Sequence, residues 1–144
     1  MSVQTAVAFP QAQTDAGQLD KTFAGNGVTQ VYFADSLSSL TNGIAIDSMG
    51  RLLIAAKVGT PGGSRFGLAR LLEDGSADLA FGEHGSIISQ FEPGFEAMAG
   101  NVQVLADGHI LLAGLHYEDA NHTLPALALF DPNGKPVQSF ANNG

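Results

Sequence analysis

Apolar residues fall in short runs along the chain, each closed off by Gly, Asn, Asp, Ser or Pro. The runs Val28–Phe33, Gly43–Asp47, Leu52–Val58 and Phe66–Leu72 are too short for stable helices and are rich in aliphatic and aromatic residues, which predicts strands. A second set follows at Ile87–Phe91, Asn101–Leu105, Ile110–Leu115 and Ala126–Phe130. Leu52–Ala56 and Ile110–Gly114 are continuously apolar rather than alternating, the pattern of a strand covered on both faces. The connections are too short for crossover helices, so each set is expected to pair as an antiparallel meander. Asp107-Gly108 predicts a hairpin with a primed turn, and Met49-Gly50 occupies the same place in the first set.

The two sets are copies of one unit. Gly17–Gly27 reads GQLDKTFAGNG, Gly75–Gly85 reads GSADLAFGEHG and Gly134–Gly144 reads GKPVQSFANNG, so Phe23, Phe81 and Phe140 are equivalent. Gly50 and Gly108 mark a second match at a spacing of 58 residues, and FGLARLLEDG at Phe66–Gly75 answers PALALFDPNG at Pro125–Gly134. A repeat of this length made of four short strands is expected to be one blade of a β-propeller. The chain then divides into an N-terminal extension at 1–16, a first blade at 17–74, a second at 75–133 and the start of a third repeat at 134–144.

This pattern resembles the delta-60 repeat family. The resemblance rests on Gly17-Gln18-Leu19-Asp20, Phe23 and Gly27, then Arg51–Ala56, then Leu68-Ala69-Arg70-Leu71-Leu72-Glu73-Asp74-Gly75, and it covers about residues 17–144. The third copy departs from it, with Val137 where Asp20 and Asp78 stand. The resemblance implies an all-β, propeller-like repeat, often found in exported or surface-associated bacterial proteins, with no established biochemical activity.

Composition narrows the classes of function. Eighteen glycines with only 14% charged residues fit a turn-rich β protein. A net charge of −8 repels phosphate backbones and anionic lipid, so nucleic acid and membrane surfaces are not expected partners. With no cysteine there is no disulfide, thiolate metal site or cysteine nucleophile. Neither a standard signal peptide nor a bilayer-spanning apolar run is read in the sequence.

Chemistry is expected in the longer connections, at Ala34–Asn42, Lys57–Arg65, Glu92–Gly100 and His116–Pro125. The last contains His116, Tyr117, Glu118, Asp119 and His122, which with Arg65 are the candidate ligand-binding residues. The two histidines and two acids offer nitrogen and oxygen donors, but their spacing matches no known metal site, and no metal or other cofactor is expected. Tyr117 offers a stacking face for a sugar, or packs on its own loop. Asp131-Pro132-Asn133-Gly134 lacks the later ligands of an EF-hand and reads as a turn, as does Asp74-Gly75. Asp20 and Asp78 are expected to cap the turns that follow them. Neither a phosphate-binding loop nor a nucleophile elbow occurs. Two readings follow: a non-catalytic binding or scaffolding module for a protein or glycan, or a carbohydrate-active hydrolase or lyase using Glu92, Glu96, Glu118 and Asp119.

Two blades leave their outer faces bare, because repeats are stabilised by their neighbours. Completion is expected from a head-to-tail homo-oligomer, a trimer of six blades before a dimer of four, or from further repeats of a longer chain.

Overall fold

The structure, a computed structural model, describes residues 17–89, 96–119, 121–141 and 144. It is all-β apart from a single 3-10 turn at Phe23–Gly25. Seven strands follow in order: β1 (Ser38–Ile46), β2 (Leu52–Thr60), β3 (Gly63–Leu71), β4 (Ser86–Ser89), β5 (Glu96–Val104), β6 (Ile110–Tyr117) and β7 (Thr123–Phe130). They form two antiparallel sheets, β1-β2-β3-β4 and β5-β6-β7, with every neighbour in the sheet also the neighbour in sequence.

The sheets are cut differently from the sequence repeats. The outer strand of the first sheet, β4, comes from the start of the second repeat and pairs with β3 through Leu68 opposite Ile87 and Ala69 opposite Ser86. Val28–Phe33, the corresponding run of the first repeat, forms no strand with the other described residues and instead lays Val31 and Phe33 on the first sheet. A strand forms where a partner edge exists, and the first repeat has no described blade before it to offer one. The expected extension at 1–16 lies outside the described residues.

Each sheet buries apolar residues by alternation, since successive side chains point to opposite faces, and a bulge in β1 and in β5 shifts the pattern by one residue. Leu53, Ala55, Phe66 and Leu68 face the second sheet and meet Ala97, Ala99, Val102, Ile110, Leu112, Ala126, Ala128 and Phe130. The other face of the first sheet carries Ile54, Ala56, Val58, Ala69 and Leu71, capped by Phe33 with Val31 beside it. The continuous apolar run of β2 is explained by this double coverage. Between the sheets Phe81 is fully buried, and Phe66 with it.

The turns correct two expectations. Of the Asp107-Gly108 pair only Gly108 takes a positive φ, 85°, and the Leu105 amide is bonded to the His109 carbonyl at 2.8 Å. A primed turn needs both residues left-handed, so the loop is instead the three-residue kind, a turn closed by a left-handed glycine. Secondly, the connections are shorter than their sequences imply. β2 and β3 are joined through Pro61-Gly62 alone, which places Arg65 inside β3, and β6 runs on to Tyr117, which takes His116 and Tyr117 out of the loop. Pairing continues to the strand ends because each added residue satisfies another backbone donor and acceptor.

Candidate functional site

The expected ligand-binding residues divide into three groups. Arg65 is buried, its Nη1 donating to the Ser64 carbonyl at 2.8 Å and its Nη2 to the Gly62 carbonyl at 2.6 Å. It holds the β2–β3 hairpin closed, with the Glu96 side chain against Gly63 beside it. His116 and Tyr117 are half-buried at the end of β6, opposite Ala97 and Glu96 on β5, and the Tyr117 hydroxyl donates to the Met98 thioether at 3.3 Å. That sulfur is a weak acceptor, so the ring is held by packing more than by its hydroxyl.

Glu118, Asp119 and His122 form the turn from β6 to β7. Asp119 Oδ1 accepts from the amides of Asn121 (2.7 Å) and His122 (2.9 Å), and its Oδ2 lies 2.7 Å from His122 Nδ1. The bonds from His122 and from these amides hold the Asp119 carboxyl below its usual pKa, against a smaller opposing effect of desolvation. The backbone closes the same turn from Glu118 N–H to the His122 carbonyl at 3.0 Å. Among the described residues no three His, Asp or Glu side chains gather to hold a metal ion. Glu92, one of the candidate carboxylates, lies outside the described residues.

The other acids act within the backbone in the same way. Asp20 accepts from the Thr22 amide and hydroxyl, at 2.9 Å and 2.6 Å, and Asp74 from Ser76 likewise. Asp131 accepts from the amides of Asn133 and Lys135. Hydrogen bonds to the charged form lower the pKa of each. Asp20 and Asp78 cap turns as expected, but Asp78 does more.

Asp78 is the centre of a charge network in the first sheet. Its Oδ2 accepts from Arg70 Nε at 2.8 Å and lies 3.8 Å from an Arg51 terminal nitrogen, while Arg51 Nε reaches Asp47 Oδ2 at 2.7 Å. Arg70 also donates to the Pro132 carbonyl of the second repeat at 2.6 Å and stacks on Phe81 at 4.2 Å from the ring centroid. Burial and the charge of Arg51 pull the Arg70 pKa down, with Asp78 and Asp47 opposing them. Burial pushes the Asp47 carboxyl up, and the bonds from Arg51 and from the Met49 and Arg51 amides outweigh it, leaving the pKa lowered. Sequence reading placed Arg51 and Arg70 only in motifs. The available signal was joint loss: one repeat further along the chain, Asp47, Arg51, Arg70 and Asp78 are replaced by Leu105, His109, Leu129 and Val137.

Beside this network lies a cavity of about 640 Å³ lined by Asp20, Thr22, Phe23, Met49, Arg51 and the Leu72–Asp74 turn. It is open and lined by apolar and acidic side chains alike, and Arg51 is already paired with Asp47. Large apolar side chains are exposed as well, among them Leu115 and Leu127 on the outer face of the second sheet, at 37% and 50%.

Residues 50–81 match the family described as "Domain of unknown function (DUF5122) beta-propeller". No curated protein and no solved structure matches the chain. The matched stretch spans β2, β3 and the Asp78–Phe81 turn that locks them to the second sheet. Stacked antiparallel meanders together with that match make this chain a β-propeller-type repeat protein.

Proposed function

We propose that the chain is a non-catalytic binding or scaffolding module of propeller type, presenting its sheet faces and hairpin ends to a protein or glycan. The observation that carries this reading is how its polar side chains are used. Arg65, Asp119 and His122, chosen from the sequence as ligand contacts, are spent on closing their own hairpins, while large apolar side chains stand exposed on the outer sheet face. A surface of that kind recognises a partner by area and shape rather than by a reacting group. The delta-60 identity of the repeats fits the same picture, supported by Leu68-Ala69-Arg70-Leu71 and the Asp74-Gly75 turn within the matched stretch.

A glycan-array screen run beside a polysaccharide hydrolysis assay tests the proposal. The expected result is saturable binding or none on the array, with no turnover in the assay. Turnover that is lost in Glu118→Gln or Asp119→Asn would overturn it in favour of a hydrolase or lyase.

A further inference from the structure

We infer that the two outer sheet faces and the open edge of this molecule are complementary to each other and take a second copy of the chain, one copy's second sheet docking on the next copy's first sheet in the place now covered by Val31 and Phe33. This deepens the scaffolding reading above by naming its partner. The argument is the continuity of an interface the chain already contains. Within one chain, the first-sheet face of Leu53, Ala55, Phe66 and Leu68 packs against the second-sheet face of Ile110, Leu112, Ala126, Ala128 and Phe130. The repeat offset carries the first of these faces onto Leu111, Ala113, Pro125 and Leu127, the outer face of the second sheet. It carries the second back onto Leu52, Ile54, Gly67, Ala69 and Leu71, the outer face of the first sheet, with Ser39, Thr41 and Ile44 of β1 answering Ala97, Ala99 and Val102 of β5. The two outer faces are thus repeat equivalents of the two that already pack, and the same relative placement brings them together between copies once Phe33, which now packs on Gly67, has moved off.

The same movement completes a strand. β3 turns the backbone donor and acceptor of Arg70 toward its outer edge, where the Arg70 amide meets the Gly85 carbonyl at 2.9 Å and the Asp78 amide meets the Arg70 carbonyl at 3.0 Å. β7 does the same at Leu129, with the Gly144 carbonyl and the Val137 amide. Two residues earlier, Leu127 presents its backbone to that edge by strand alternation, and β7 has no further strand beside it among the described residues. β4 fills the corresponding place on β3, with Ile87 opposite Leu68. The repeat equivalent of Ile87 is Thr29, so Thr29 of the second copy falls opposite Leu127. Val28–Val31 is suited to this: among the described residues no backbone–backbone hydrogen bond engages 29–32, and Val31 already lies on the face the first copy would cover. Pro125, at the far end of the edge, lacks only an N–H that faces outward, where proline is tolerated.

Besides the segment that carries Val31 and Phe33, a second stretch must give way. Phe81 packs on Gly134 within the chain, and by the same offset Phe140 of the first copy packs on Gly75 of the second, where Phe23 now sits. Residues 135–141 and 144 are tied to their own sheet by the Lys135 carbonyl, the Val137 amide and the Gly144 carbonyl, whereas among the described residues 17–27 is tied by one backbone bond, Ala24 N–H to the Asp74 carbonyl at 2.7 Å. The Phe23 segment is therefore the one displaced.

Solution mass over a dilution series of the full chain, with circular dichroism to confirm folding, tests the inference. Wild type is expected at a stable multiple of 14.9 kDa. Leu127→Pro removes an outward N–H without breaking a bond to β6, and Thr29→Pro does so on a segment outside both sheets; each is expected to give a folded monomer. Phe23→Ala removes the competitor and is expected to tighten association about tenfold. A wild-type monomer throughout the series, or association unaffected by both proline variants, overturns the inference. Those results leave the binding-module reading standing, while turnover in the hydrolysis assay removes that reading and leaves the association untouched.

Discussion

The two sheets have the same hairpin turn and inner strands of nearly the same length, yet one is held with charge and the other with oil. In the first, Asp47, Arg51, Asp78 and Arg70 form a chain of contacts that ends on the Phe81 ring and the Pro132 carbonyl. In the second, Leu105, His109, Val137 and Leu129 stand at the same four places, all half-buried. The backbone bonds around them are unchanged: Asp47 to Arg51 and Leu105 to His109 at 3.0 Å and 2.8 Å, Asp78 to Arg70 and Val137 to Leu129 at 3.0 Å and 2.9 Å. The fold therefore does not need the charges. What they add is a link between blades, because Arg70 reaches across to the second repeat, and a leucine at that position makes no such bond.

The largest expected effect comes from breaking the network at one point. Arg70→Leu copies the second repeat at a single position and leaves Asp78 buried beside an apolar residue, at a cost of about 3–5 kcal/mol in chemical denaturation, as when a buried pair loses one partner. Exchanging all four positions at once, Asp47→Leu, Arg51→His, Arg70→Leu and Asp78→Val, is expected to restore stability to within about 1 kcal/mol of wild type, since an apolar replacement of a whole buried network is often neutral or better. A quadruple variant no more stable than Arg70→Leu would show that the second repeat's solution depends on its own surroundings.

A second comparison concerns the glycine under each phenylalanine. Gly75 and Gly134 have φ of +83° and +86°, and a methyl on either would stand 2.8 Å from the Phe23 ring or 2.9 Å from the Phe81 ring. Both substitutions are strained, but Phe81 is fully buried between the sheets and Phe23 is only half-buried. Gly134→Ala is expected to cost about 2–3 kcal/mol and Gly75→Ala about 1 kcal/mol, because an exposed ring swings aside and a core ring does not. Equal losses in thermal denaturation would mean that Phe23 is as firmly seated as Phe81, which also bears on its proposed displacement.

Much of this was legible in the chain. The glycine and phenylalanine spacings of Phe23, Phe81 and Phe140 gave the repeat, and the apolar runs gave the inner strands of both sheets, because periodicity and turn chemistry are local signals. The membership of β4 was not legible, since which edge Ser86–Ser89 joins depends on partners distant in sequence. The site was read least well. HYEDANHTLP looked like a loop rich in ligands, but two of its residues extend β6 and Asp119 closes a turn on His122. A polar side chain in a short connection finds the nearest unpaired amide first, and the sequence does not show which amides remain unpaired. Arg70 and Asp78 had the opposite fate: eight residues apart, they look unrelated until the chain folds back along β3.

The smallest expected effect uses acid to separate the two repeats. The Asp47 pKa is lowered in the folded protein, so the stability it contributes is complete above its unfolded value of about 3.9 and is lost as the pH falls through the lower folded value. Leu105, its counterpart, has nothing to titrate. In the wild type, denaturation midpoints measured at about pH 6 and about pH 3 should differ by more than in the variant with all four positions exchanged. The exposed carboxylates Asp20, Asp74, Asp107 and Asp119 are also lowered by the turns they close and remain in both proteins, so they cancel in the difference. A residual gap between the two proteins reports the Asp47 carboxyl. No gap would mean that the Asp47–Arg51 contact contributes nothing net, and that the link through Arg70 to Pro132 carries the whole advantage of the charged repeat.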